Sequence, residues 1–182
     1  MPKRTEIRIT GLGGQGVVLM GEILGRAAVY DGKHAVQTQS YGAEARGSAA
    51  KSEVIVSDEK IGFPVVRKCD VLVAMSQTAL EKNLKDLKQN GILIVDERMV
   101  KELPDAPTLA KFKVFKVPAT ETAETRFNSK IYANTVMLGF LTGITRVVSQ
   151  TAVEEAIADS VSTKVKENNI RGFRVGLKLA EQ

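Results

Sequence analysis

The fold is decided by residues 6–30, which read EIRITGLGGQGVVLMGEILGRAAVY. Residues 6–10 alternate between polar and apolar side chains, as a half-buried β-strand does. Residues 11–16 then fit the pattern G-x-G-x-x-G, in which x is any residue. Residues 17–30 carry apolar side chains at the spacing of one helix face, at Val17, Met20, Leu24, Ala27 and Ala28. A strand, a glycine-rich turn and a helix in this order predict the start of a parallel α/β sheet.

The rest of the chain continues the alternation of strands and helices. Further strands are predicted at residues 35–38, 49–56, 61–66, 71–74, 92–95 and 113–117. Further helices are predicted at residues 78–88, 120–126, 131–148, 151–161 and 164–180. We expect residues 49–56 and 61–66 to pair as a hairpin around a turn at 57–60, with Pro64 placing the second strand at a sheet edge. Residues 39–47 show neither the two-residue period of a strand nor the 3.6-residue period of a helix, and they are predicted to form a loop.

The length of 182 residues suits one α/β domain with a proper hydrophobic core. We therefore predict a single Rossmann-like domain over residues 1–182. Its sheet is expected to be mainly parallel, with an added antiparallel hairpin and flanking helices.

Composition excludes several classes of protein. Lys and Arg number 26 against 21 Asp and Glu, but they are scattered and lack stacking aromatic neighbours, which argues against nucleic-acid binding. Cys69 is the one cysteine, so an internal disulfide and a cysteine-based zinc or iron–sulfur site are excluded. The polar first residues predict no signal peptide. Residues 131–148 include polar side chains and predict a buried helix, not a membrane span. We expect a cytoplasmic protein.

The glycine loop, residues 11–16, offers two interpretations. Glycines let the backbone approach a ligand closely, and the start of the following helix suits a phosphate group. The same glycines also allow a tight turn and close packing of the helix on the strand. A dinucleotide site usually places an acidic residue at the tip of the second strand, and residues 36–40 hold no carboxylate. The sequence therefore argues against an NAD enzyme.

The polar loop, residues 37–48, reads QTQSYGAEARGS. Its side chains form hydrogen bonds readily, so Tyr41, Glu44 and Arg46 are candidates for contact with a ligand or a neighbouring subunit. The alternative is a loop that pins itself through a Glu44–Arg46 pair, which would contribute only about 0–1 kcal/mol at the surface.

The remaining polar candidates have structural explanations as well. His34 is predicted to be a solvated turn residue, and Cys69 a packing residue. Ser76 follows a buried strand, where it either meets a ligand or caps the next helix. Asn134 lies in an apolar helix and needs partners if it is buried, which makes it a candidate for an interface. We find no catalytic constellation and no metal site in the sequence.

Three segments occur in order: GLGGQGV at 11–17, QTQSYGAEARGSAAKS at 37–52 and AMSQ at 74–77. Together they resemble the gamma subunit of 2-oxoacid:ferredoxin oxidoreductases, and the second segment is most similar to the 2-oxoglutarate type. Asn134 also fits this pattern. The resemblance covers nearly the whole chain. Alternatives are the gamma subunit of a pyruvate or branched-chain 2-oxoacid enzyme, a stand-alone dinucleotide-binding protein, and a scaffold protein without a ligand.

The resemblance implies an enzyme complex that converts 2-oxoglutarate, coenzyme A and oxidised ferredoxin to succinyl-CoA, carbon dioxide and reduced ferredoxin. It implies a heterotetramer with alpha, beta and delta subunits, which would hold thiamine diphosphate, Mg and the iron–sulfur clusters. This chain would bind none of these cofactors, would contribute no catalytic residue and would be inactive alone. Whether an isolated chain homodimerises through its apolar helix stays open.

The resemblance also predicts where this chain contributes to the complex. We expect it to support the alpha subunit and to shape the entrance for coenzyme A. The candidate residues for that pocket are Gly11, Gly13, Gly14, Gln15, Gly16, Ser40, Tyr41, Gly42, Glu44, Arg46, Ser76 and Asn134.

Overall fold

The computed structural model describes residues 4–42 and 47–182. These residues form six strands: β1 (Arg4–Leu12), β2 (His34–Tyr41), β3 (Ala49–Ser57), β4 (Cys69–Ala74), β5 (Leu87–Asp96) and β6 (Lys113–Val117). The same residues form seven α-helices: α1 (Val17–Tyr30), α2 (Gln77–Asn83), α3 (Ala106–Leu109), α4 (Ala119–Phe127), α5 (Ala133–Thr145), α6 (Gln150–Ser160) and α7 (Thr163–Leu179). None of the helices within these two ranges is long and apolar enough to cross a membrane.

The strands form one sheet in the order β2-β3-β1-β4-β5-β6. β1, β4, β5 and β6 pair in parallel, whereas β3 runs antiparallel to β1 on one side and to β2 on the other. The register places Leu12, at the end of β1, opposite Ala49, at the start of β3. The prediction of a mainly parallel sheet with an antiparallel hairpin and flanking helices is confirmed.

Each face of the sheet has its own hydrophobic core. The larger core packs α1 and α4–α7 against side chains such as Ile7, Ile9 and Val73. The smaller core lies on the other face, where Leu72 and Leu93 meet Leu80 of α2. This second core also contains Cys69, whose thiol is fully buried. Burial raises the pKa of that thiol to about 11, so Cys69 packs as an apolar group at neutral pH.

Glycines let α5 and α7 approach each other closely. A Cβ added to Gly176 would lie 1.9 Å from the carbonyl oxygen of Val136, and one added to Gly139 would lie 2.0 Å from that of Phe173. A glycine inside a helix weakens it by about 1 kcal/mol, but here close packing offsets that cost and α7 runs unbroken from residue 163 to 179. α7 covers the glycine-bearing face of α5 within the same chain, so that face is not free for a second copy.

The prediction that residues 61–66 pair with β3 as a hairpin was wrong. Residues 61–66 form no strand, and β2 takes the position beside β3 instead. Both edges of β3 are occupied, by β1 and β2, so no further strand can pair with it. The 61–66 segment crosses the smaller core, where the Val66 carbonyl accepts a hydrogen bond of 3.1 Å from the Arg8 guanidinium.

Several element boundaries also differ from the prediction, and three of them have a clear physical reason. Residues 39–41 continue β2, because they pair with residues 50–52 of β3 although their side chains are polar. The helix predicted at 78–88 ends at residue 83, since Leu87 already belongs to β5 and packs in the smaller core. The helix predicted at 131–148 runs from 133 to 145 and ends where Arg146 adopts a left-handed conformation, with φ 50°.

Candidate functional site

Gln15 fastens the glycine loop to the sheet. Its side-chain Oε1 accepts a hydrogen bond of 2.7 Å from the Leu12 amide, and its Nε2 donates one of 2.7 Å to the Met75 carbonyl. The Gly13 amide donates to the Ser48 carbonyl at 2.8 Å. These hydrogen bonds tie the loop to the end of β1, the start of β3 and the end of β4. We call the fixed loop, residues 11–16, the ridge.

The glycines of the loop divide into two pairs with different roles. A Cβ at Gly11 would lie 2.5 Å from Gln15 Oε1, and one at Gly16 would lie 2.3 Å from Asn134 Nδ2. These two positions need glycine for packing. A Cβ at Gly13 would meet Ser48 only at 3.7 Å or more, and one at Gly14 would meet nothing within 4 Å. Both Gly13 and Gly14 are exposed, so a ligand or partner can reach them.

The loop also offers backbone donors. The amide groups of Gly14 and Gly16 have no hydrogen-bond acceptor among residues 4–42 and 47–182. α1 follows directly, and its first turn contains no acidic residue that would compete for an anion. The helix dipole adds a partial positive charge at this end. The backbone of the ridge can therefore bind a negatively charged or carbonyl oxygen.

Asn134 and Ser76 act behind this ridge. Asn134 is 3% exposed, and its Nδ2 donates to the Gly16 carbonyl at 3.4 Å, so it supports the loop from within α5. Ser76 is 4% exposed, and its Oγ accepts a hydrogen bond from the Ala79 amide at 3.2 Å, which caps α2. Both side chains position the site from the interior and do not present themselves to solvent.

A polar depression lies on one side of the ridge, with a volume of about 380 Å³. Ser40, Tyr41 and Gly42 line it at the end of β2, opposite Gly11 and Leu12 of the loop. Lys51 and Lys82 line it as well, and its described lining contains no Asp or Glu. Lys51 also pairs with Glu53 at 3.5 Å, but that carboxylate is shared with Arg8 at 2.7 Å, so the depression keeps a positive charge and suits an anionic group.

An apolar depression of about 300 Å³ lies on the other side of the ridge. The loop from Leu12 to Gln15 forms one wall, and Met75, Met99 and Ile131 contribute to the rest. Ile131 is 60% exposed, contrary to its predicted burial in a helix, because it sits in a 3-10 turn before α5. An exposed isoleucine beside a mostly apolar depression suits contact with another protein or with the uncharged part of a ligand.

Asp96 shapes this second depression. It is fully buried, and its Oδ2 accepts hydrogen bonds from the Thr120 amide at 2.9 Å and from the Thr120 hydroxyl at 2.7 Å. Its Oδ1 accepts from the amides of Arg98 and Met99 at 3.0 and 3.2 Å. Asp96 therefore fixes the turn after β5.

The structure places ten of the twelve candidate residues, and Glu44 and Arg46 lie outside the described residues. The glycine loop and Ser40, Tyr41 and Gly42 come together at one edge of the sheet, whereas Ser76 and Asn134 lie beneath it. Sequence reasoning missed Lys51, Lys82 and Ile131, because nothing in their local pattern shows which edge they face. His34 is exposed at the start of β2, far along the strand from Tyr41.

Comparisons with known proteins agree with this geometry. The family model for pyruvate ferredoxin/flavodoxin oxidoreductase matches residues 6–179. The 2-oxoglutarate synthase subunit KorC of Methanothermobacter thermautotrophicus is 52% identical over 179 residues, which cover 97% of this chain and 95% of that protein. KorC of Methanocaldococcus jannaschii is 48% identical over 182 residues, which cover 98% and 95%. The pyruvate synthase subunit PorC of the same organism is 32% identical over 173 residues, covering 93% of each chain.

Two solved structures share the fold. The gamma subunit of a keto/oxoacid ferredoxin oxidoreductase from Geobacter sulfurreducens matches with a TM-score of 0.85 and 42% identity, over 97% of this chain and 98% of that one. The 2-oxoglutarate:ferredoxin oxidoreductase from Magnetococcus marinus, solved with 2-oxoglutarate, coenzyme A and succinyl-CoA, matches with a TM-score of 0.89 and 25% identity, over 98% of this chain and 31% of that one. The resemblance seen in the three sequence segments is confirmed, and the chain belongs to the pyruvate ferredoxin/flavodoxin oxidoreductase family.

Proposed function

We propose that this chain is the gamma subunit of a 2-oxoglutarate:ferredoxin oxidoreductase. That enzyme converts 2-oxoglutarate, coenzyme A and oxidised ferredoxin to succinyl-CoA, carbon dioxide and reduced ferredoxin. The observation that carries the proposal is the difference in identity: 52% and 48% to two 2-oxoglutarate synthase subunits, against 32% to a pyruvate synthase subunit. The chain would work in the cytoplasm, in a heterotetramer with alpha, beta and delta subunits.

The redox cofactors would belong to the other subunits. This chain has a single cysteine, which is buried, so its residues do not fit an iron–sulfur cluster. Residues 4–42 and 47–182 contain no group of three His, Cys, Asp or Glu side chains that could hold a metal ion. These observations support alpha, beta and delta as the holders of thiamine diphosphate, Mg and the clusters, with ferredoxin reduced by the complex as a whole.

The part of this chain in the reaction would be to help form the pocket for coenzyme A. Lys51 and Lys82 would attract a phosphate of coenzyme A into the polar depression. The free amide of Gly14, on the other side of the ridge, would offer a hydrogen bond to a ligand that crosses the ridge. The apolar depression, with exposed Ile131 at its margin, would receive side chains of the alpha subunit. This chain would then position a substrate that reacts on cofactors held by its partners.

The geometry disfavours a stand-alone dinucleotide-binding protein. In the nucleotide-binding fold, the strand that carries the acidic ribose contact lies directly beside β1. Here β3 takes that place and runs in the opposite direction, so β2 lies two strand spacings away, about 9.6 Å from β1. The end of β2 also carries Ser40 and Tyr41 in place of a carboxylate.

The test uses Gly13→Ala in the assembled complex. The added methyl fits the free subunit, because its nearest neighbour would lie at 3.7 Å, so only a ligand or partner that closely approaches the ridge should sense it. We expect an increase of about five- to tenfold in the KM for coenzyme A, equivalent to about 1–1.4 kcal/mol, with kcat little changed. Arg46→Ala should have the same effect, a prediction that rests on the sequence alone.

Gly62→Ala is the matched control, because a Cβ at Gly62 meets no atom within 4 Å and lies away from both depressions. It should leave the KM for coenzyme A at the wild-type value. If Gly13→Ala changes only the yield of assembled complex, the loop has a structural role and the pocket assignment is wrong. If the purified chain alone oxidises 2-oxoglutarate, or if it co-purifies with no other subunit, the subunit assignment is wrong.

A further inference from the structure

α7 has two faces, and only one of them is used by the core. Gly172, Phe173, Gly176 and Leu177 are buried, and the two glycines among them approach α5. The second face carries Arg171, Arg174, Val175, Lys178 and Leu179, which follow one another at helical spacing. It borders a groove of about 450 Å³ between the end of α4 and the last three turns of α7. We call this the basic groove.

The basic groove carries four cations. Arg126 of α4 and Arg171, Arg174 and Lys178 of α7 line it, and its lining contains no Asp or Glu among residues 4–42 and 47–182. Four positive charges are a large part of the charge of a chain whose net charge is +5. Clustered like charges repel one another, so this arrangement is destabilising until an anionic partner neutralises it.

Within the part of the chain that the structure describes, only one of these cations is neutralised. Arg174 makes two hydrogen bonds of 2.7 and 2.8 Å to the carboxylate of Glu154 on α6. Arg171 stacks over the ring of Phe127 at 5.5 Å, which fixes its guanidinium but leaves its charge uncompensated. Arg126 and Lys178 form no ion pair with any residue in the described part of the chain. Three cations therefore remain available to a partner.

The floor between the cations is apolar. Phe127, Val175 and Leu179 line it, and each is half-buried. An apolar floor with a basic margin suits a segment that presents an apolar side chain between carboxylates. It suits a nucleic acid poorly, because bases stack on open aromatic faces and Arg171 already covers the ring of Phe127.

We propose that the basic groove between α4 and α7 docks an acidic segment of another subunit of the complex, with an apolar side chain placed over Val175 and Leu179. The groove residues of α7, from 171 to 179, span about 12 Å along the helix axis, which matches about four residues of an extended segment. This surface lies on a different element from the coenzyme A ridge. The identity of the partner as a fellow subunit rests on the proposed function.

The experiment uses the tagged full chain produced together with its alpha, beta and delta subunits. The double variant Arg171→Glu/Lys178→Glu reverses two groove cations, and Lys164→Glu/Lys166→Glu makes the same change of charge at the other end of α7. Each complex is bound through the tag and washed with increasing sodium chloride. At the same salt concentration, we expect the groove variant to retain at most about one fifth of the partner subunit that the wild type retains. The control variant should retain as much as the wild type.

A milder double variant, Arg171→Gln/Lys178→Gln, removes the two charges without reversing them and should give intermediate retention. Circular dichroism of each free variant checks that it is folded. A photo-crosslinking residue at Val175 then identifies the segment that contacts the floor. A cross-linked peptide of another subunit with several carboxylates supports the proposal. A cross-link to nucleic acid or to a second copy of this chain overturns it, and so does equal retention by both charge-reversed variants. If the wild type retains no subunit at all, the proposed function fails first and this proposal fails with it.

Discussion

Gly176→Ala should destabilise the protein, although alanine is the better helix former. The added methyl carbon would lie 1.9 Å from the Val136 carbonyl oxygen and 2.9 Å from both the Gly139 Cα and the Phe140 amide nitrogen. All three neighbours are backbone atoms of α5, which cannot rotate away as a side chain can. To lengthen the shortest contact to about 3.4 Å, α5 and α7 would have to separate by about 1.5 Å there.

The magnitude follows from two opposing terms. Replacing a glycine by alanine within a helix gains about 1 kcal/mol of intrinsic helix stability. Overpacking of a tight core costs about 1–3 kcal/mol, and the upper end applies because the obstacle is backbone and because separation also loosens the contacts of neighbouring core side chains. We therefore expect a net loss of about 2 kcal/mol, which lowers the Tm of a chain of this size by about 4–8 °C.

Gly25→Ala is the matched control for this prediction. Gly25 is also a buried glycine within a helix, but a Cβ there would lie 3.7 Å from its nearest neighbour, the Gln37 Cβ. The same substitution should therefore raise stability by about 0.5–1 kcal/mol. Thermal and urea unfolding of the purified chain measure both shifts. The packing argument is refuted if Gly176→Ala is as stable as the wild type, or if the two variants shift the Tm in the same direction.

Two further predictions concern charged groups. The hydrogen bonds from Arg174 lower the pKa of Glu154 below its usual 4.5, so this pair stabilises the fold fully above that pH and loses its contribution as the pH falls through the lowered pKa. Glu154→Gln should reduce the difference in unfolding free energy between pH 6 and pH 3 by a measurable amount that stays below about 1 kcal/mol because the pair is partly exposed, and an unchanged difference would contradict the assignment. Asp96→Ala should cost at least about 3 kcal/mol, since it leaves buried donors of Thr120 unpaired, whereas Glu97→Ala should change stability by less than about 0.5 kcal/mol in the same urea titration.

Local sequence patterns predicted those parts of the fold that depend on neighbouring residues. The first strand, the glycine turn and α1 were all placed correctly, because residues 6–30 combine a strand period, a glycine cluster and a helix period without interruption. The short apolar runs that became β4 and β6 were found for the same reason. Their parallel pairing followed from the helices between them.

Pairing between distant strands could not be predicted in the same way. The alternation in residues 49–57 shows that β3 is a strand, but it does not show that β2 and β1 occupy its two edges.

The burial of Arg8 could not be predicted from its neighbours in the sequence either. Its position in an alternating strand suggests a solvated face, yet it is 4% exposed and bonded to Glu53 at 2.7 Å and Asp86 at 2.6 Å. The segment after β3 covers that face, and nothing near Arg8 in the sequence indicates it.

The candidate site was predictable as far as its backbone was concerned. Glycines in a strand–turn–helix context identify the ridge, and the polar loop identifies one neighbour. The division of the glycines into two packing positions and two open ones depends on the side-chain conformation of Gln15 and on Asn134, and Asn134 meets the loop only in the folded chain. The lysines of the polar depression come from β3 and α2, so their approach to the ridge is a property of the sheet order.

The inverted strand β3 explains how the polar loop reaches the glycine ridge at all. The end of β1 is the edge where ligands of open sheets bind. Because β3 runs antiparallel to β1, its first residue, Ala49, lies beside Leu12, and the connection from β2 arrives at that same edge. The hydrogen bond from the Gly13 amide to the Ser48 carbonyl joins the two segments directly. Had β3 paired with residues 61–66 instead, its turn would lie at the opposite edge of the sheet. The inversion of one strand thus brings two sequence motifs 20 residues apart into one surface.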